Sequence, residues 1–268
     1  MNKKKVAILS PNPKSLYSTS VCELLIRNKI NIEVIFIKRF TFSRFKDEFS
    51  RDGLRLIKKI WEKLILKEKA YNSFANIETI LTYRQKENIT LNNLKELKFK
   101  GIEVYFVEDL NSKFVENKLK EKQVDITVFT GGGIIRKNII DNSGAGVINC
   151  HMGKLPEYRG MDVLEWTLYK KDFNNLGFTV HFMKKGVDTG NILKVFDVKL
   201  IKNEEIKSLR VRFEPIMTKN FVETIIGFLN GEIVENPQAE KDGKQYYIMD
   251  DYLKKVANQY LQQHTKIK

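Results

Sequence analysis

The chain has 268 residues, of which 42% are hydrophobic, and a formal net charge of +14. This is enough for one large α/β domain with a packed core and a small appendage. The two cysteines, Cys22 and Cys150, show no pairing pattern, which argues against a disulfide-stabilised secreted protein. The apolar run at 6–9 is too short for a signal peptide or a membrane span, so we expect a cytoplasmic protein that does not associate with membranes.

The first elements predict a βαβ unit. Residues 5–9 and 32–37 are apolar and β-branched, as in parallel strands, and 16–28 has a helical pattern. The loop after the first strand reads Ser-Pro-Asn-Pro and could approach a phosphate, which makes Ser10 and Asn12 candidate substrate contacts. It lacks the G-x-G-x-x-G pattern, so a dinucleotide site is not predicted.

A helical insertion is predicted at about 42–90. Apolar residues recur at helical spacing among lysines and arginines between 42 and 69, which is typical of amphipathic helices. A basic helix of this kind can bind a membrane or RNA. The interpretation we favour is a solvated face over an apolar stripe that packs on the core.

The next segment predicts a strand, a helix and a strand that ends in glycines. Residues 102–107 and 125–130 are the strands and 111–121 the helix. The glycines at 131–133 give the backbone freedom where a ligand could approach closely, although a plain strand-to-helix turn is the alternative.

An apolar strand at 146–149 carries the most informative side chains. Asn149 and His151 are two residues apart, so they leave the strand on the same face. They lie at its carboxyl end, where open α/β sheets bind ligands. An amide can donate to an oxygen that gains negative charge, and an imidazole can exchange a proton near neutral pH. A carboxylate would orient that ring, and Asp188 is the candidate. A metal site formed by His151, His181 and Asp188 is a weaker alternative, because metal-ligand spacing motifs are absent.

Beyond this strand, the pattern predicts a helix at 161–170 and two antiparallel strands at 178–183 and 192–200 around the Asp188 turn. A long helix follows at 204–230. We therefore place a doubly wound, mainly parallel α/β domain at 1–231, and a strand–helix appendage at 232–268.

Three motifs occur in order: N-x-H at Asn149, L-P-x-Y-R-G at 155–160 and G-x-D-T-G-x-I-L at 186–193. Together they resemble the folate-dependent formyltransferase family, and sugar-nucleotide N-formyltransferases most of all. The resemblance implies a formyltransferase-like Rossmann variant that uses 10-formyltetrahydrofolate and no metal, with Asn149, His151 and Asp188 as catalytic residues. One departure is Gly153, where several branches carry a small hydroxyl residue.

By the same resemblance, a folate-binding loop is expected. The predicted contacts to the pterin ring are Gly133, Ile134, Ile135, Arg136 and Val187.

The acceptor is expected to be the primary amine of an amino sugar, linked to a nucleotide. Only 37 residues follow Gly231, too few for the barrel that a tRNA enzyme would add, and a purine-pathway enzyme would be more compact. Lys154 and Arg159 flank the His151 loop and could meet an anionic acceptor. For Lys154 a solvated surface position is an equal alternative, and for Arg159 a brace of its turn is favoured.

Other functions stay open at this point. Methionyl-tRNA and glycinamide ribonucleotide formylation are alternatives, as is a basic RNA-binding or scaffold protein on the same fold. The lysines are spread among acidic residues, so nucleic-acid binding is not favoured. A homodimer is left open.

Overall fold

A mainly parallel, seven-stranded sheet forms the centre of the computed structural model, which describes residues 4–39, 77–131 and 133–266. The strands of the described residues are β1 (Lys5–Ser10), β2 (Asn31–Lys38), β3 (Glu103–Val107), β4 (Ile126–Phe129), β5 (Val147–His151), β6 (Tyr158–Gly160), β7 (Gly177–Phe182), β8 (Ile192–Asp197) and β9 (Lys244–Tyr246). Strands β6 and β9 form a separate two-stranded sheet, and the other seven form the large one. The order across the large sheet is β3-β2-β1-β4-β5-β7-β8. Strands β1 to β5 are parallel, whereas β7 runs antiparallel to both of its neighbours.

Helices cover both faces of this sheet. They are α1 (Leu16–Arg27), α2 (Ile80–Lys86), α3 (Lys113–Lys122), α4 (Lys137–Ile140), α5 (Val163–Tyr169), α6 (Ile206–Leu229) and α7 (Asp251–Lys266). Leu25 of α1 and Phe221 of α6 lie in the core on one face, and Leu119 of α3 and Ile139 of α4 lie in the core on the other. The predicted doubly wound, mainly parallel sheet is therefore confirmed.

The local sequence explains these elements. The β1 residues at 6–9 are fully buried, as expected for a parallel strand with helices on both sides. Ser15 and Ser112 begin α1 and α3, and each side chain accepts a hydrogen bond from a backbone N–H in the first helical turn. Within the described residues, no helix is both long and apolar enough to cross a membrane.

The predicted insertion at 42–90 falls largely outside the described residues. Its described end contains α2, which Arg84 fastens to α1. The buried Arg84 guanidinium donates to Thr19 Oγ1 at 3.0 Å and Ser20 Oγ at 2.8 Å, and to the Leu91 carbonyl at 2.7 Å. The Arg84 side chain therefore attaches this segment to α1 by hydrogen bonds to uncharged acceptors.

The segment at 232–266 folds back on the rest of the chain. Strand β9 pairs with β6, and α7 packs against α5. The side chains of Asn258 and Thr265 accept hydrogen bonds from the backbone N–H groups of Ile206 and Glu204, where α6 begins. The strand and helix predicted for this segment thus pack on β6, α5 and the start of α6.

Candidate active site

The candidate site lies at the carboxyl end of β5, between β4 and β7. Asn149 pairs with Phe129 of β4 on one side and with His181 of β7 on the other, and His151 pairs with Thr179. Because directly paired residues and alternate residues share a sheet face, Asn149, His151 and His181 lie on the same face. The strand pairing therefore brings an amide and two imidazoles together.

Asp188 joins this cluster from the turn between β7 and β8. Its Oδ2 accepts a hydrogen bond from the Gly160 N–H at 2.9 Å and lies 3.4 Å from His151 Nδ1. Its Oδ1 lies 3.6 Å from His181 Nε2. Asp188 has a backbone φ of 53°, in the left-handed region that non-glycine residues seldom adopt. The turn thus aims one partly buried carboxylate at both rings.

Both ring nitrogens of the buried His151 face oxygen acceptors. Nε2 lies 2.8 Å from the Tyr158 carbonyl, and Nδ1 faces Asp188. A doubly protonated ring can donate to both oxygens, whereas a neutral ring can donate to only one. The His151 ring is therefore held between two oxygen acceptors, beside the Asn149 amide.

Gly153 leaves the space that this arrangement needs. A Cβ at that position would lie 2.9 Å from His151 Nε2, 2.9 Å from the Tyr158 carbonyl and 2.7 Å from Val163 Cγ2. Such approaches are too short for non-bonded carbon, so even an alanine would displace one of these groups. The departure from the family pattern at Gly153 thus has a steric consequence at the catalytic ring.

His181 is neutral and orients Asn149. Burial lowers the pKa of His181 to about 4; Asp188 acts in the opposite direction, and His151 adds to the lowering. The Nδ1–H donates to the Phe182 carbonyl at 2.7 Å, which leaves a lone pair on Nε2. That lone pair accepts from Asn149 Nδ2 at 3.2 Å, so the second N–H of the amide remains for a ligand.

The weaker metal alternative receives no support from the geometry. Among the described residues, no group of three or more His, Cys, Asp or Glu side chains is arranged to hold a metal ion.

The predicted folate loop comes soon after β4 in the chain. Phe129, the last residue of β4, pairs with Asn149, so the chain leaves β4 beside Asn149 and continues into this loop. Ile134 is 82% exposed, and Val187 of the Asp188 turn is 41% exposed. Ile135 is buried, and the Arg136 N–H donates to Asn111 Oδ1 at 2.6 Å. Gly133 has a φ of 110°, and among the described residues a Cβ there would meet only Lys38 Nζ, at 3.7 Å. Exposed apolar side chains next to an open backbone fit a flat ring system such as a pterin. The individual contacts stay predictions.

The four predicted acceptor contacts have different surroundings. Lys154 Nζ donates to the Asn174 carbonyl at 2.9 Å and pairs with Asp197. The buried Arg159 guanidinium donates to the carbonyls of Glu240 and Gly243. Both side chains therefore brace neighbouring loops.

The other two predicted acceptor contacts lie in the loop after β1. Ser10 is fully buried, and its hydroxyl donates to the Asn12 carbonyl at 2.9 Å. Asn12 is exposed. Of the four residues, Asn12 is therefore the most accessible to a ligand.

Sequence reasoning missed one element of this site, which we name the strap (residues 235–247). Gln238 Nε2 in the strap donates to the Asp188 carbonyl at 3.1 Å and to the Gly190 carbonyl. The strap also accepts from Arg159, and its Tyr246 is paired with Gly160 of β6. It thus contacts both loops that carry Asp188 and its hydrogen-bond donor. The segment had no motif that could have indicated this role.

Comparison with known proteins finds a matching family model and curated relatives. A model of the formyl transferase family matches residues 63–225. A methionyl-tRNA formyltransferase from Trichlorobacter lovleyi is 30% identical over 156 residues, which cover 58% of this chain and 48% of that protein. A second, from Pelobacter propionicus, is 32% identical over 127 residues, covering 47% and 40% of the two chains. The chain thus matches half or less of the length of these curated relatives.

The fold has solved counterparts as well. Glycinamide ribonucleotide transformylase 1 from Symbiobacterium toebii matches with a TM-score of 0.58 and 15% identity, over 92% of this chain and 95% of that one. A sugar N-formyltransferase from a Shewanella species matches with a TM-score of 0.56 and 14% identity, over 96% and 87% of the two chains. At these identities the likeness concerns the fold.

Proposed function

The chain belongs to the formyl transferase family, and we propose that it transfers a formyl group from 10-formyltetrahydrofolate to the primary amine of a nucleotide-linked amino sugar. The observation that carries the reaction is the meeting of Asn149, His151 and Asp188 at the carboxyl end of β5. There, Asp188 Oδ2 lies 3.4 Å from His151 Nδ1. An amide donor, an imidazole and a carboxylate are the groups that acyl transfer to an amine requires.

Each group has a defined part in the proposed reaction. As the amine attacks the formyl carbon, negative charge grows on the formyl oxygen. The free N–H of Asn149 donates to that oxygen, and the cationic His151 ring stabilises the charge. Asp188 holds the ring and, directly or through water, accepts the proton that the amine loses. Collapse of the adduct breaks the bond between the formyl carbon and N10 of the folate. N10 takes up one proton, which balances the proton that the amine loses, and tetrahydrofolate leaves with the formyl group now on the acceptor nitrogen.

The transfer is proposed to be direct, without a covalent enzyme intermediate. Cys150 is the nearest thiol in sequence, but it alternates with Asn149 and His151, and its side chain contacts the core on the other face of the sheet. Desolvation in that core raises the pKa of the Cys150 thiol, so the reactive thiolate is disfavoured.

The acceptor proposal is supported by the surface next to Asp188. Met161, which follows Gly160, is 49% exposed, and Tyr247 of the strap is 70% exposed. The Met161 N–H donates to the Tyr246 carbonyl, so these side chains emerge from adjacent backbone. A thioether and an aromatic ring suit the apolar face of a sugar, while the carboxylate suits its amine.

Methionyl-tRNA is the second candidate acceptor, because the curated relatives carry that name. The similarity covers about half of those proteins, and we propose that it reflects the shared formyl-transfer chemistry. The proposed test is an acceptor panel: amino-sugar nucleotides, glycinamide ribonucleotide and charged initiator tRNA, each with radiolabelled formyl donor. Asp188→Asn serves as the inactive control.

We expect label transfer to at least one amino-sugar nucleotide with the highest kcat/KM in the panel. A higher kcat/KM for the tRNA would replace the sugar assignment with the tRNA assignment. A higher value for glycinamide ribonucleotide would assign the chain to the purine branch.

A further inference from the structure

A groove of about 610 Å³ lies outside the catalytic cluster, between α6 and α7. Its residues from α6 are Ile206, Lys207 and Arg210, and Glu165 of α5 contributes from behind. Residues 254–262 of α7 form the opposite wall. We name it the α6–α7 groove. Its volume is in the range of pockets that bind small organic ligands.

The groove lies at the carboxyl edge of the sheet. Strand β8 runs parallel to β5, so the start of α6 is at the same edge as His151. The Tyr17 ring at the start of α1 stacks on Phe221, with centroids 6.1 Å apart. The residues of α6 that precede Phe221 extend about 22 Å along the helix axis. The first half of α6, with the groove, therefore projects beyond α1 on the side where α/β sheets bind ligands.

Two contacts connect the groove to the active-site loops. Arg210 Nη1 lies 3.6 Å from the sulfur of Met152, the residue after His151. Lys254 Nζ lies 2.7 Å from Asp162 Oδ2, and Asp162 is two residues after Gly160, whose N–H holds Asp188. Two residues span at most about 7 Å. The inner end of the groove therefore lies close enough to the Asp188 carboxylate for one sugar-diphosphate molecule to reach both.

The basic side chains of the groove divide into two pairs. Arg210 donates twice to Glu165, at 2.6 Å each, and Lys254 pairs with Asp162, so these two build the wall. Lys207 and Lys255 are exposed on facing helices, and neither has a hydrogen-bond or ion-pair partner in the described part of the chain. Two ammonium groups on opposite walls can hold a multiply charged anion between them.

The rest of the lining fits a nucleoside. Gln259 offers an amide group to base edges or ribose hydroxyls, whereas the Gln262 Nε2 donates to Glu205 Oε1 of the same groove at 2.8 Å. Tyr252 is outside the lining itself, but it is 71% exposed and precedes Lys255 by three residues, so both are on the same side of α7. Its ring could stack on a base, as aromatic side chains do in nucleotide sites.

We propose that the α6–α7 groove binds the nucleoside-diphosphate part of the acceptor, with the diphosphate between Lys207 and Lys255. This inference rests on the proposed function. It assigns recognition of the charged part of the substrate to α6 and α7, and recognition of the sugar to the rim at Met161 and Tyr247.

The test is the charge-reversing pair Lys207→Glu and Lys255→Glu, singly and together. We expect the KM for the nucleotide-linked amino sugar to rise at least tenfold in each single variant and further in the double variant. The kcat at saturating acceptor, and the affinity for a non-reactive tetrahydrofolate analogue, should stay unchanged. Lys219→Glu is the matched control, because Lys219 is on α6 outside the groove and pairs with Glu223.

Calorimetry with uridine, thymidine and guanosine diphosphates gives a second readout. We expect at least one of them to bind the wild type and Lys219→Glu, and to bind the double variant at least tenfold more weakly. An unchanged KM and unchanged diphosphate binding in the double variant would overturn the groove assignment and leave the proposed function intact. Failure of the wild type to formylate any nucleotide-linked sugar, with efficient formylation of tRNA or glycinamide ribonucleotide, would overturn both.

Discussion

Gln238 is 50 residues from Asp188 in sequence, yet its side chain holds the backbone of the turn that carries the proposed catalytic Asp188. Its Nε2 donates to the carbonyls of Asp188 and Gly190. Gln238→Ala removes the side-chain amide, so the carbonyls of Asp188 and Gly190 both lose these hydrogen bonds. We predict a lower kcat with a similar KM for the acceptor, because the variant changes the fraction of molecules in which Asp188 faces His151.

The size of the effect follows from the geometry. A neutral hydrogen bond contributes about 1 kcal/mol net, so the two bonds contribute about 2 kcal/mol. This is similar to the cost of about 1–2 kcal/mol for a non-glycine residue such as Asp188 in the left-handed region. A loss of about 2 kcal/mol corresponds to roughly a thirtyfold change in the ratio of molecules in which Asp188 faces His151 to molecules in which it does not. We therefore expect kcat to fall about ten- to thirtyfold.

The assay is steady-state release of tetrahydrofolate, with the acceptor that the wild type prefers. Gln238→Glu should fall at least as far, because a carboxylate has the same shape but cannot donate to either carbonyl. Gln85→Ala, at an exposed position on α2, is the matched control and should retain wild-type kcat. A folded Gln238→Ala with wild-type kcat would refute the reasoning. The turn would then be held by the Gly160 N–H and the Ile192–Asn236 bridge alone.

Three further variants test other parts of the account. Gly153→Ala should lower kcat at least tenfold in a variant that still folds, because its Cβ would lie 2.9 Å from both His151 Nε2 and the Tyr158 carbonyl, so the ring or its neighbours must shift; wild-type kcat would contradict that clash. The pKa of His181 is about 4, below the value of about 6.5 expected in the unfolded chain, so the unfolded state binds the proton first as the pH falls. Urea unfolding should show stability decreasing from about pH 6.5 to 4 by up to about 1.4 kcal/mol per unit, and His181→Gln should decrease less steeply; equal slopes would argue against a neutral buried ring. Arg84→Met should lower the free energy of unfolding by about 3 kcal/mol, since it removes the hydrogen bonds to Thr19, Ser20 and the Leu91 carbonyl, whereas Lys86→Met on the same helix should change it little.

The sheet was predictable because its strands have strong local signals. Buried parallel strands such as β1 are continuous apolar runs, and serine caps mark the starts of α1 and α3. Pro215 is a residue that locally disfavours a helix interior, yet α6 runs through it from Ile206 to Leu229. Packing on both sides of this helix outweighs a local helix-breaking tendency.

For the site, spacing indicated which residues share a face, but not what each one contacts. Two-residue alternation places Asn149 and His151 together. The tautomer of His181, by contrast, depends on burial and on the Phe182 carbonyl, which are tertiary properties. Lys154 and Arg159 have charges that suggest ligand contacts, and only the structure shows their carbonyl partners. Gln238 is in a loop without a motif, so its role follows from topology alone.

The most direct test of the account is a single-turnover measurement of formyl transfer with radiolabelled donor bound to excess enzyme, comparing the wild type with alanine variants of Asn149, His151 and Asp188. The account predicts that each variant binds the tetrahydrofolate analogue and transfers the label about a hundredfold more slowly or worse. A well-folded His151→Ala that transfers the label at close to the wild-type rate would contradict it.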